Sequence, residues 1–99
     1  MTNRTVDNVG KLARLRDLLW QMEAELGLER LTQHQRDLYY AACLMANKDR
    51  TLNSSDLKNH PILESMAWPT FYRALKFLVD QGFLESSGTK KSGSYRLKR

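Results

Sequence analysis

The last third of the chain is punctuated by proline and glycine at intervals that few folds accept. Pro69 sits well in a first helical turn, where its missing N–H removes nothing the helix needs, and Phe71, Ala74, Leu75 and Leu78 then mark one apolar face at helical spacing. Gly82 supplies a left-handed stop, and Phe83 just beyond it can touch Leu78 in the manner of a Schellman closure. The spacing predicts a helix over 68–81 that must turn back at once. A hairpin is predicted next. Phe83 to Ser87 and Ser94 to Lys98 carry strand-like residues, and the span 88–93 is bracketed by Gly88 and Gly93 and carries Lys90 and Lys91 at its tip.

Upstream the pattern is helical. Residues 1–8 are polar and aperiodic and read as a flexible arm. Over 9–27, Leu12, Leu15, Leu19, Met22 and Leu26 recur at alternating spacings of three and four, a heptad-like stripe that Gly27 ends. Thr32 and Gln35 form a capping box for a second helix, from about Gln33 to Asn47, whose inner side is Leu38, Ala41, Ala42 and Met45. Leu52 is a lone apolar residue before Asn53 and Ser54, which cap a short helix through Asp56, Leu57 and Lys58. Pro61 interrupts it, and Ile62, Leu63 and Met66 are expected in the core. The predicted class is mainly α with a small β-hairpin, an α+β fold of one domain over 31–99 preceded by a long amphipathic helix.

Composition closes off several functions. The longest uninterrupted apolar stretch, Ala41 to Ala46, is far short of the ~20 residues a membrane span needs, and Met1 to Asn8 lacks the apolar core of a signal peptide. A cytoplasmic protein without a membrane partner is expected. The one cysteine, Cys43, cannot form an internal disulfide, and with His34 and His60 it makes no metal cluster of known spacing. It is expected to be a small buried hydrophobe. Nucleophile, paired carboxylates and phosphate loop are all missing, so neither catalysis nor a cofactor is expected. The net charge of +5 is unevenly placed: nine bases meet nine acids from Met1 to Met66, whereas seven bases meet two acids from Ala67 to Arg99. A basic excess confined to a segment of ordinary hydrophobicity suggests a folded surface for a polyanion.

Helix, short helix, tight break, third helix and a basic-tipped hairpin is the order of a winged helix-turn-helix. The stretch MAWPTFYRALKFLVDQGFLE, Met66 to Glu85, resembles the recognition helix and first wing strand of winged helix-turn-helix transcription regulators, the MarR-type among them. The shared pattern is a small residue, proline, Thr or Ser, a core apolar residue, Arg, Leu, then Gly and two apolar residues. The resemblance covers Leu31 to Arg99 and is to the winged helix alone, without the C-terminal dimerisation helices of MarR-type proteins. It implies that Pro69, Thr70, Arg73 and Lys76 face double-stranded DNA while Phe71, Leu75 and Leu78 hold the helix down. It also implies that Lys90 and Lys91 meet phosphate or the minor groove, with Arg96, Lys98 and Arg99 extending that footprint. Helical geometry agrees independently, since residues 69, 70, 73, 76 and 77 lie opposite the core stripe, and an arginine one turn into a helix can reach guanine edges or phosphates.

Tyr72 belongs with the same reading face. With Trp68 and Phe77 it also supports an alternative, a winged helix adaptor that docks a protein partner through exposed aromatics. RNA binding is a third possibility. The N-terminal stripe is read as the seam of a homodimer. Lys11, Arg14 and Arg16 occupy the start of the helix and Glu23 and Glu25 its end, so antiparallel copies set opposite charges together, Arg16 near Glu23 and Lys11 near Glu25 of the other copy. Such a dimer favours a palindromic DNA site.

Overall fold

The computed structural model of the protein describes residues 3–87 and 93–98. The chain divides into two compact units, Met1–Leu31 and Thr32–Arg99. The first is helix α1, Asn3–Leu26, followed by a short 3-10 turn, Leu28–Arg30. Gly27 ends α1 at φ +74° with its N–H donating to the Ala24 carbonyl at 3.2 Å. The helix begins at Asn3 and not at Val9, so the expected arm over 1–8 is helical from its third residue. Val6 and Val9 continue the three-residue spacing of Leu12 and Leu15 backwards, and no proline or glycine stands before Gly10 to stop propagation.

The second unit is helical with a three-stranded antiparallel sheet, an α+β arrangement as expected: α2 (Gln33–Met45), β1 (Thr51–Asn53), α3 (Ser54–Lys58), α4 (Trp68–Asp80), β2 (Leu84–Ser86) and β3 (Ser94–Leu97). Thr32 and Gln35 form the reciprocal capping box that starts α2. The Asn53 side chain accepts the Ser55 N–H at 2.8 Å and starts α3. Gly82, at φ +82°, gives its N–H to the Val79 carbonyl, and Phe83 gives its own to Leu78, the two bonds of a Schellman closure. The hairpin runs as predicted, since Ser87 bonds Ser94 and Lys98 bonds Phe83 at the two ends of the β2–β3 ladder.

β1 is the element that the sequence pattern does not announce. The Asn47 side-chain oxygen accepts the N–H groups of Asp49 and Thr51 and the Thr51 hydroxyl, which folds a tight turn through Arg50 at φ +64°. The turn delivers Leu52 opposite Tyr95, and β3 becomes the central strand in the order β1-β3-β2. Leu38, Leu57, Leu63, Phe71, Leu78 and Leu84 are the largest fully buried side chains. Ile62, expected with them, is instead exposed. Leu63 and Glu64 both donate to the His60 carbonyl, a helical turn that sends Leu63 and Met66 to one side and Ile62 about 100° away from it. Cys43, also expected inside, is exposed as well. α2 buries Leu38, Tyr39, Ala41 and Ala42, and residue 43 falls off that face.

Leu78→Ala should lower unfolding free energy by about 2–5 kcal/mol in a urea titration, because it opens a cavity in a dry site. Leu44, 71% exposed on the outer side of α2, should tolerate the same change within about 0.5 kcal/mol.

Candidate functional site

Burial of Phe71, Ala74, Leu75 and Leu78 fixes the rotation of α4. Pro69, Tyr72, Arg73 and Lys76 are therefore exposed, with Thr70 half-buried among them. The Arg73 guanidinium donates to the Thr70 hydroxyl at 3.4 Å, a long bond that engages one of its five N–H donors. The first turn of α4 has no side-chain cap and no acidic residue; Pro69 has no N–H and Phe71 gives its own to the Ala67 carbonyl, so the Trp68 and Thr70 N–H groups and the partial positive charge are what the turn offers an anion. The face brings together one arginine, one lysine, two hydroxyls and that helix end.

An aromatic cluster borders this face. Trp68, 49% exposed, stacks on Tyr72, 53% exposed, at 5.4 Å between centroids, and meets the buried Phe71 edge-on at 5.7 Å. Trp68 is thus a lid on the core and a surface residue at once. Beneath it lies Lys58, only 6% exposed, whose ammonium donates to the Glu64 carbonyl at 3.2 Å and sits 4.9 Å from the centre of the Trp68 ring. A buried ammonium needs such partners, and here it holds the indole in place. Phe77 is half-buried and adds little to the exposed aromatic surface.

The sheet supplies less positive charge than expected. Arg96 stands directly across from Glu85 in the β2–β3 register and donates to its carboxylate through both Nε and Nη2. The Arg96 hydrogen bond holds the Glu85 carboxyl below the usual carboxylate range, helped by the charges of Arg96 and Lys98. Arg96 is a candidate contact that already has an anionic partner. Lys90, Lys91 and Arg99 lie outside the described residues.

Sequence reasoning missed two contributors. The sequence places Lys58 only in a short capped helix, and its position under Trp68 is what reveals its part. Tyr95 falls on the side of the sheet that faces α4, so that with Ser86 it lines a shallow groove completed by Tyr72, Leu75, Lys76 and Val79. The alternation of Ser94, Tyr95, Arg96 and Leu97 carries that signal, since the register puts Arg96 on one side and Tyr95 on the other. The expected seam residues Leu12, Leu15, Leu19, Met22 and Leu26 are all exposed on α1. Partial burial pushes the Cys43 thiol above its ordinary value, against the opposing pulls of Tyr39 and Arg50. Among the described residues no helix is long and apolar enough to cross a membrane, and no three His, Cys, Asp or Glu side chains are grouped to hold a metal ion.

Comparison with models of protein families finds no match, and comparisons with curated proteins and with solved structures find none either.

The Glu85–Arg96 pair yields a pH prediction. A carboxylate whose folded pKa is depressed stabilises the fold above its unfolded pKa, and loses that contribution as pH falls through the folded value. In an NMR titration Glu85 should therefore ionise at lower pH than an ordinary glutamate. Arg96→Met should move its midpoint back up and flatten the acid limb of stability; an unmoved midpoint would mean that the pair does not form in solution.

Proposed function

We propose that the Thr32–Arg99 unit is a winged helix-turn-helix domain that binds double-stranded DNA, with α4 entering the major groove, and that the protein acts as a transcriptional regulator. The observation that carries this reading is the order of the elements. Helix, strand, short helix, helix and hairpin are joined by a sheet of order β1-β3-β2, and α4 turns Thr70, Arg73 and Lys76 away from the core. A B-DNA major groove admits one α-helix, and an outward arginine one turn into it is suited to the acceptors of guanine. The basic excess of the last third supports the same reading, although the engagement of Arg96 by Glu85 concentrates the burden on α4. No reaction chemistry is part of the proposal, and a cytoplasmic site on the nucleoid follows from the ligand.

The Trp68–Tyr72 stack supports a second reading, an adaptor for a protein partner. Two half-exposed, mutually stacked aromatics on a rigid helix are the kind of anchor that dominates protein interfaces. Salt separates the two. DNA binding declines steeply with ionic strength, whereas docking on aromatics tolerates it.

Fluorescence anisotropy with random duplex DNA, followed by selection of a preferred site, tests both. Arg73→Ala should weaken preferred-site binding by ~1–3 kcal/mol and relax discrimination at one or two base pairs. Lys76→Ala should weaken all duplexes alike and lower the logarithmic salt slope by ~0.9 if it neutralises one phosphate. Retention of both affinity and preference by Arg73→Ala would remove α4 from the groove. Loss of a salt-tolerant protein interaction on Trp68→Ala with Tyr72→Ala, without effect of Arg73→Ala, would establish the adaptor instead.

A further inference from the structure

α1 carries an exposed apolar face of Leu12, Leu15, Leu18, Leu19, Met22 and Leu26. In heptad terms Leu12, Leu19 and Leu26 share one seam position and Leu15 and Met22 the other, with Leu18 beside them. The charges along the helix are polarised. From Asn3 to Arg16 there are four bases and one acid, and from Asp17 to Leu26 three acids and no base, so the two parts carry +3 and −3. This order opposes the backbone dipole, since the first turn has no acid and the last turn no base. A chain segment with equal and opposite ends has one partner that satisfies it without any other sequence, which is itself reversed.

We propose that the apolar face of α1 is covered by α1 of a second copy running antiparallel, in a two-fold homodimer. The best seam sets Leu15 against the partner's Leu19 and Leu12 against the partner's Met22, with the axis level with Asp17. At a rise of about 1.5 Å per residue, Lys11 then lies about 3 Å along the axis from the level of the partner's Glu25, within side-chain reach, and the contact occurs twice. Leu18 meets the partner's Leu18 on the same edge. Arg16 and the partner's Glu23 are about 7.5 Å apart in level, so one register does not serve both ion pairs that the charges suggest. On that edge Arg16 stands nearer the partner's Arg16. Parallel pairing reverses the logic, because Lys11 then faces Arg16 of the partner subunit.

Sedimentation equilibrium of the full chain over a micromolar concentration series tests the proposal. The wild type should dimerise, and Leu15→Asp with Leu19→Asp should be monomeric. Because those aspartates could unfold α1, surface charge variants supply the independent reading. Lys11→Glu alone should weaken the dimer about tenfold through two repelling pairs, and adding Glu25→Lys should restore it. Arg16→Gln should tighten it a few-fold. A monomeric wild type, including one in which the face is covered within a single chain, overturns the proposal. So does a seam variant that still dimerises, a Lys11→Glu variant that tightens, or a double variant without rescue.

Discussion

One packed stripe governs the Thr32–Arg99 unit. Phe71, Ala74, Leu75 and Leu78 of α4 are buried, and α4 packs on α2. Each large side chain removed from water there contributes about 1.5–3 kcal/mol, and rotation of α4 by a single residue would expose the set. The outer face is then settled by geometry. Pro69, Tyr72, Arg73 and Lys76 are outward because their neighbours cannot be. The same stripe decides where the sheet goes. Leu78 receives the Phe83 N–H in the Schellman closure, Phe83 packs edge-on to Tyr39 of α2 at 5.1 Å, and the chain leaves Gly82 already aimed into β2.

How far this was legible in the sequence depended on whether a signal was local. Capping box, Asn53 cap and Schellman stop each need a few adjacent residues, and each forms where the pattern put it. The start of α1, β1, Ile62 and Cys43 depended on more. β1 consists of three residues held by a turn that one asparagine side chain organises, and its partner strand is more than forty positions away. No periodicity exists in three residues. Ile62 and Cys43 are apolar or small, which sets a tendency to be buried, but the rotation of their own turn or helix excludes them from the core. Among the candidate contacts, α4 was readable because a helix converts sequence spacing directly into direction. The Glu85–Arg96 pair was not, because it requires the strand register.

That pair alters the weight of the electrostatic argument. A formal net charge treats all lysines and arginines alike, yet the described bases differ in what they can offer a polyanion. Arg96 donates twice to one carboxylate oxygen of Glu85 opposite it, and Lys58 is buried under an indole. Arg73 and Lys76 remain outward on α4, Arg73 in the second turn from its uncapped end and Lys76 one turn further on. The proposed DNA contact thus rests on position more than on charge count. The aromatic stack beside it serves either reading, since Tyr72 offers a hydroxyl to phosphate as readily as a ring to a protein.

α1 poses the opposite problem, a helix whose local chemistry argues against its own isolated stability. Its charges oppose the macrodipole, Gly10 in its interior costs about 1 kcal/mol relative to alanine, and helices in water gain most of their stability from a covered face. Reversed self-pairing bears on all three: Leu12, Leu15 and Leu19 leave water, Lys11 meets the partner's Glu25, and burial offsets the glycine. Symmetry doubles the consequence of every residue on that face. A single substitution changes two contacts, so the energetic signature of an isologous seam is twice what the same side chain would show against an unrelated surface.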